Sequence, residues 1–135
     1  MSDPRTARYA EDLARLIRER TVSAEGQTDL TDFYRFQVTL RHMFPSVFSV
    51  CTYEDFSGSF LLRWPGRGEG EPFLLMNHHD VVEAPGDWKY PPFAGEIAEG
   101  RLWGRGTLDT KGGLWAMLQA AEELASKGFA PRHDT

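Results

Sequence analysis

Apolar residues recur at helical spacing in two stretches near the start of the chain. The apolar positions of the first stretch are Tyr9, Leu13, Leu16 and Ile17. They predict an amphipathic helix of about three turns, which the stretch VSAEGQ ends. The apolar positions of the second stretch are Phe33, Phe36, Val38 and Leu40. Thr28 or Asp29 can cap this second predicted helix, which is expected to end before Pro45.

The residue types change after the second helix and become typical of strands. Two runs, VFSVCTY and SFLLRW, are rich in β-branched and aromatic residues and are separated by EDFSG. Both are predicted to be strands. A turn of glycine and proline, PGRGEGEP, leads into FLLMNHHD, which is continuously apolar from Phe73 to Met76. Such a run is typical of a strand that is buried on both faces.

The remainder of the chain predicts a long loop, a short strand and a helix. Residues 83–100 hold several prolines and glycines and are expected to be a loop, and RLWGRG is expected to be a short strand. A helix is predicted over 111–127, with Gly128 as its C-cap. Its apolar stripe consists of Leu114, Met117, Leu118, Ala121, Leu124 and Ala125. Helices and buried strands in this order predict an α/β fold, in which helices cover a sheet.

Size and charge exclude several classes of function. A chain of 135 residues fits one modest domain. The net charge is −5 and no block of Lys or Arg occurs, which argues against nucleic acid and acidic membranes as partners. No apolar run approaches the roughly 18 residues that span a bilayer, and the start lacks the apolar core of a secretory signal. Cys51 is the only cysteine, so we expect a cytoplasmic protein.

The polar residues directly after the buried run are the first candidates for chemistry. Ligands of open α/β sheets bind beyond the carboxyl ends of the strands, where residues 77–80 are expected to lie. Side chains alternate along a strand, so His78 and Asp80 should share one face and His79 the other. His78 is thus a candidate metal ligand whose tautomer Asp80 would fix. The alternative is a polar strand end without a chemical role, and for His79 a structural role is favoured.

A second candidate lies in GRGTLDTKGG, residues 104–113. Asp109 falls between a glycine-rich turn and the start of the last helix, where it could bind a ligand or simply cap the helix. Phosphate-binding loops do not fit. The dinucleotide pattern G-x-G-x-x-G would need glycine at position 109, and a P-loop would need Ser or Thr after Lys111, where Gly112 stands.

The two candidate motifs and the loop between them resemble one family of enzymes. An apolar strand, H-x-D-V-V, a loop with W and P-P-F, and G-R-G-x-x-D-x-K-G occur in that order. This arrangement is similar to the zinc-dependent family of carboxypeptidase S, the aminoacylases and succinyl-diaminopimelate desuccinylase (metallopeptidase family twenty). The similarity is strongest from Leu74 to Ala120. Asn77 and Glu83 depart from the family's usual residues at positions that are not ligands.

The resemblance implies a fold, a cofactor and a role for each candidate residue. His78 would bind one zinc ion, Asp80 would hold His78 in place and take part in catalysis, and Asp109 would bridge two zinc ions. The peptide bond between Asp109 and Thr110 would be cis. Cobalt or manganese could substitute for zinc. The implied fold is an incomplete three-layer sandwich of the zinc-peptidase type: two helices, then strands and a covering helix. The implied substrate is a peptide or an N-acyl amino acid.

The resemblance also implies that parts of the site lie outside this sequence. The general base and the remaining metal ligands are expected after residue 135, because the pair Glu122–Glu123 lies in the predicted helix on its solvated face. Residues 1–135 are therefore interpreted as the N-terminal part of a catalytic domain, without the inserted dimerisation domain of the complete enzyme, which could be a homodimer. This chain alone should be inactive. The alternative is a truncated, non-catalytic chain that acts only as a binding or partner chain.

Overall fold

The protein is described here by a computed structural model that covers residues 3–135. Helices and two small hairpins alternate along the chain. In order, the elements are α1 (Pro4–Arg18), α2 (Thr31–Met43), α3 (Pro45–Val50), β1 (Thr52–Phe56), β2 (Ser59–Arg63), β3 (Glu96–Ala98), β4 (Arg101–Trp103) and α4 (Gly112–Ala125). A wide, non-helical turn, Thr107–Lys111, leads into α4. The structure is therefore a mixture of helices and small sheets.

The two predicted N-terminal helices are present, and local chemistry explains where they begin. The side chain of Asp3 accepts the N–H of Arg5 at 2.9 Å, and Pro4 occupies the first position of α1, where its missing N–H costs nothing. Asp29 accepts the N–H of Thr31 at 2.9 Å at the start of α2. The core joins both helices to α3 and α4 through Leu16, Phe36, Leu40, Phe44, Val47, Leu114 and Leu118.

The prediction that VFSVCTY forms one strand is wrong, because its first part belongs to helix α3. Pro45 stands at the first helical position, where its fixed φ suits a helix. The carboxylate of Glu122 on α4 accepts the N–H groups of Ser46 at 3.0 Å and Val47 at 2.9 Å. A side chain 75 residues away thus satisfies the free N–H groups of this short helix. Glu122 therefore does not lie on a solvated face, contrary to the prediction.

Both hairpins turn through residue pairs in the left-handed region. Ser57 and Gly58 have φ values of 52° and 91° and join β1 to β2, with Phe56 opposite Ser59. Glu99 and Gly100, with φ values of 57° and 71°, join β3 to β4. Two consecutive residues with positive φ match the twist of antiparallel strands. The strand SFLLRW is confirmed, whereas β3 lies in a segment that was predicted to be loop.

The predicted buried strand FLLMNHHD is the main error of the sequence-based fold. Phe73 and Met76 are 63% and 82% exposed, and no strand is formed there. Val81, which directly follows this run, forms an isolated parallel bridge with Val22. A strand requires partners for its main-chain groups, and the described sheets are two separate antiparallel pairs. The helix-covered sheet is therefore not formed by the described residues.

An open apolar trough of about 1160 Å³ separates β2 from residues 72–80, and we call it the β2 trough. Residues 134 and 135 lie at one end of it. Trp64 and Thr135 exchange two main-chain hydrogen bonds, at 2.8 and 3.1 Å, and Phe73 donates its N–H to the carbonyl of Asp134 at 2.8 Å. The C-terminal residues are thus tied to both walls of the β2 trough.

The exposed apolar wall of the β2 trough leads us to expect self-association. Phe73, Leu74, Leu75 and Met76 are each more than half exposed, and large exposed apolar patches usually mark contact surfaces. Replacing Leu75 by lysine should lower the weight-average mass measured by sedimentation at micromolar concentration. Leu108→Lys is the matched control, since Leu108 is 93% exposed but lies outside the trough. An equal effect of both variants would contradict a specific role of the trough.

The attachment of the C-terminal residues should depend on pH through Asp134. The N–H of Gly66, at 2.8 Å, and the guanidinium of Arg63 keep the pKa of this carboxyl below its ordinary value. Because the folded pKa is lowered, the stabilisation is present above the ordinary pKa of about 3.9 and is lost as pH falls through the folded pKa. The amide signal of Gly66 should report release of the tail on acidification. In Asp134→Asn the signal should lose this pH dependence, and an unchanged profile would contradict the assignment.

Candidate metal centre

The three side chains that the sequence singled out meet at one place. Nε2 of His78 lies 3.1 Å from Oδ1 of Asp109, although 31 residues separate the two along the chain. Nδ1 of the same ring lies 3.2 Å from Oδ1 of Asp80 and 3.1 Å from the main-chain carbonyl of Asp80. Asp80 and Asp109 therefore flank the imidazole on opposite sides, and each faces a different ring nitrogen.

His79 points away from this cluster into an aromatic environment. Its ring stacks on Phe36 with centroids 4.9 Å apart and on Phe60 at 5.8 Å, and it meets Phe33 edge-on at 5.6 Å. Burial lowers the pKa of His79, so the neutral ring is favoured. The opposite orientation of the two histidines and the structural role of His79 agree with the prediction.

The carboxylate of Asp80 has a second partner that sequence reasoning missed. Oδ2 of Asp80 accepts a hydrogen bond from the hydroxyl of Ser23 at 2.7 Å. Ser23 lies in the break after α1, 57 residues before Asp80, and a lone serine in such a segment carries no motif that could have identified it. Asp80 thus joins a hydroxyl group to the imidazole of His78.

The loop of Asp109 presents its carboxylate to solvent. The Asp109 side chain is 90% exposed, and its peptide bond with Thr110 is cis, as the family resemblance implied. Gly106 has a φ of 86°, and a Cβ atom there would lie 2.7 Å from Cγ1 of Val81. No side chain of the described residues caps the N-terminus of α4, so the alternative role of Asp109 as a helix cap is wrong.

Lys111 attaches this loop to the end of α1. Its ammonium group donates to the main-chain carbonyls of Leu16 at 3.0 Å and Glu19 at 2.6 Å, and it lies 5.1 Å from the ring centre of Phe36. The side chain is fully buried, and burial lowers its pKa to about 8. The sequence motif did not indicate this role, because both acceptors are main-chain atoms more than 90 residues away.

The electrostatics of the cluster favour a cationic partner between the carboxylates. Partial burial lowers the pKa of His78, but the hydrogen bonds with the Asp80 carbonyl and the Asp109 carboxylate outweigh it and raise the pKa overall. Because two acceptors face the ring, the protonated, positively charged form of His78 is favoured. A metal ion bound at Nε2 in place of the proton would be stabilised by the same negative charges.

The two facing atoms of His78 and Asp109 fit a zinc site. Zinc binds imidazole nitrogen and carboxylate oxygen at about 2.0–2.2 Å, so two such ligands of one tetrahedral ion lie roughly 3.3 Å apart. The observed separation of Nε2 and Oδ1 is 3.1 Å. Within residues 3–135, no group of three or more His, Cys, Asp or Glu side chains is arranged to hold a metal ion. The described residues therefore offer a pair of ligands and not a full coordination shell.

Comparison with protein families places the candidate residues inside a matched segment. Residues 74–135, which contain His78, Asp80 and Asp109, match the model of "Peptidase family M20/M25/M40". Over this segment the chain is similar to that peptidase family. The resemblance recognised in the sequence is thereby confirmed, and the matched segment begins at the residue from which the resemblance was strongest.

Named relatives are similar over most of the chain or over nearly half of it. The probable carboxypeptidase S-like 2 of Dictyostelium discoideum is 36% identical over 91% of this chain and 25% of its own length. The N-fatty-acyl-amino acid synthase/hydrolase PM20D1 of Xenopus tropicalis is 36% identical over 98% of this chain and 27% of its own. Succinyl-diaminopimelate desuccinylase of Methylococcus capsulatus is 52% identical over 45% of this chain and 17% of its own.

These comparisons also show how much of each relative's length this chain matches. The chain spans about a quarter of the length of the Dictyostelium discoideum and Xenopus tropicalis relatives. In the part of the chain that the structure describes, no helix is both long and apolar enough to cross a membrane.

Proposed function

We propose that this peptidase-family chain supplies part of a dinuclear zinc centre for the hydrolysis of peptide or N-acyl-amino-acid amide bonds. The observation that carries the proposal is the 3.1 Å approach of His78 Nε2 and Asp109 Oδ1, with Asp80 on the other side of the ring. In this proposal His78 would hold one zinc ion and Asp109 would help to hold both. Cobalt or manganese would be accepted at the same donors.

The proposed roles follow from what each group can do. Bound zinc ions supply a water of lowered pKa and polarise the carbonyl of the substrate. The carboxylate of Asp80 would accept a hydrogen bond from Nδ1–H of His78, which leaves Nε2 free for the metal and raises the basicity of the ring. Asp109 presents its carboxylate from an exposed loop, where both of its oxygens are accessible.

The proposal assigns residues 1–135 to the N-terminal part of a three-layer zinc-peptidase domain. The relatives are about four times as long, so the general base, the other ligands and a dimerisation domain would come from regions with no counterpart in this sequence. We therefore expect the 135-residue chain alone to be inactive as an amidase.

A chimera tests the proposed function. The matching 27% of the Xenopus tropicalis N-fatty-acyl-amino acid synthase/hydrolase would be replaced by this chain, and zinc-dependent release of the amino acid would be measured. We expect an active chimera, and a loss of about 10–100-fold when Asp80 is changed to asparagine.

The exposed His42 on α2 provides the control for this chimera, because it lies outside the cluster. His42→Ala should leave the activity unchanged. A folded, zinc-loaded chimera without any amidase activity would contradict the proposed function and would favour a non-catalytic partner chain.

A further inference from the structure

The segment after α1 is aligned with residues 79–81 by hydrogen bonds from both main chain and side chains. Val81 donates its N–H to the carbonyl of Thr21 at 2.8 Å, and Ser23 donates its N–H to the carbonyl of Val81 at 3.0 Å. The hydroxyl of Thr21, a fully buried residue, donates to the carbonyl of His79 at 2.5 Å. The main chain of Ser23 is therefore held in a defined position relative to Asp80.

From this position the hydroxyl of Ser23 reaches one particular oxygen of Asp80. It donates to Oδ2 at 2.7 Å, while Oδ1 lies 3.2 Å from Nδ1 of His78. A carboxylate rotates easily about its terminal bond, so a donor on one oxygen determines where the other points. Within residues 3–135, no Lys or Arg forms an ion pair with Asp80, and Ser23 is the side chain that bonds to Oδ2.

We propose that Ser23 is a positioning residue of the metal centre, which acts through Asp80 on His78. The chain of contacts runs from the Ser23 hydroxyl to Oδ2 of Asp80, and from Oδ1 to Nδ1 of His78. Ser23 keeps the carboxylate turned to Nδ1, so that the ring carries its proton there and leaves Nε2 as the donor to metal. The inference rests on the proposed function, because His78 is taken as the ligand.

The surroundings of Asp80 explain why a hydrogen bond from Ser23 is needed to orient its carboxylate. The side chain of Asp80 is 44% exposed, so water competes for both of its oxygens. At Nδ1 the ring of His78 faces both the carboxylate and the main-chain carbonyl of Asp80, and at Nε2 it faces Asp109. A neutral imidazole carries one proton on either nitrogen, and its neighbours decide which. Fixing the carboxylate at Nδ1 shifts this balance towards the tautomer that can bind zinc.

The inference can be tested first without metal. At an alkaline pH where titration shows that the ring of His78 is neutral, its nitrogen-15 shifts report the ratio of the two tautomers. We expect Ser23→Ala to lower the ratio of Nδ1–H to Nε2–H at least twofold, about the smallest change that marks a lost hydrogen bond. Ser23→Thr keeps the hydroxyl and should restore the ratio. An unchanged ratio in Ser23→Ala, in a chain that folds normally, would overturn the inference.

A second measurement uses zinc ion alone in calorimetric titrations. Ser23→Ala should weaken binding about tenfold, Ser23→Thr should restore it, and Ser23→Ala should have no further effect in an Asp80→Ala background. Ser59→Ala, an exposed serine on β2, is the control. A further loss in the Asp80→Ala background would overturn the role through Asp80. If the unaltered chain binds no zinc, the proposed function fails, while the tautomer ratio still decides the role of Ser23.

Discussion

Replacing Asp109 by alanine is expected to abolish zinc binding by this chain. Only a pair of facing donors, Nε2 of His78 and Oδ1 of Asp109, is available at the centre within residues 3–135. Loss of either donor leaves a single ligand, so the affinity should fall by more than about 100-fold, the upper limit seen for residues that merely support a ligand. His78→Ala should have the same effect. Zinc content after dialysis and calorimetric titration with zinc ion measure it.

Matched variants distinguish loss of a ligand from loss of charge. Asp87→Ala removes an exposed carboxylate from the loop before β3, and His79→Phe replaces the half-buried neighbour of His78 by another aromatic ring. Both should retain zinc, since neither side chain faces the cluster. Unchanged zinc content in both Asp109→Ala and His78→Ala would refute the assignment of these residues as ligands.

The second large effect is expected for Lys111→Met, which should destabilise the fold by about 2–4 kcal/mol. The variant keeps most of the buried volume but leaves the carbonyls of Leu16 and Glu19 without their donor. It also removes a cation from the C-terminal end of α1, where the helix dipole favours positive charge. The removed cost of burying an ammonium group offsets part of this loss, and the range given includes that offset. Urea unfolding monitored by circular dichroism measures the change.

Lys127→Met provides the control for that measurement. Lys127 follows α4 and is exposed, so its replacement should change the free energy of unfolding by less than about 0.5 kcal/mol. If Lys111→Met unfolds at the same urea concentration as the unaltered chain, the attachment of the Asp109 loop to α1 does not contribute to stability.

Local patterns were sufficient to predict the elements that are amphipathic by themselves. The helices α1 and α2, the strand β2 and the helix α4, which ends shortly before the left-handed Gly128, follow from apolar spacing and capping residues. The error at α3 has a different cause. Val47 and Phe48 favour strands as isolated residues, but the carboxylate that caps this helix comes from Glu122 on another element.

The run Phe73–Met76 shows the opposite case. Its apolar composition suits a strand buried on both faces, yet its side chains are exposed and it borders the β2 trough. Apolar composition indicates that the side chains of a segment would be stable when buried. A strand also requires neighbouring segments that hydrogen-bond with its main-chain groups. The described residues provide such neighbours only near Phe73 and Val81.

The features of the candidate centre also differ in whether local sequence or tertiary packing determines them. The sequence by itself determined the family resemblance and the opposite orientation of His78 and His79, because these depend on residue identity and on short spacings. Only the tertiary structure decided that Asp109 faces Nε2 and that Ser23 and Lys111 support the cluster. Those contacts join residues 31 to 95 positions apart, and their acceptors include main-chain carbonyls that every residue possesses. No local pattern can specify such partners, since they are chosen by how the elements pack.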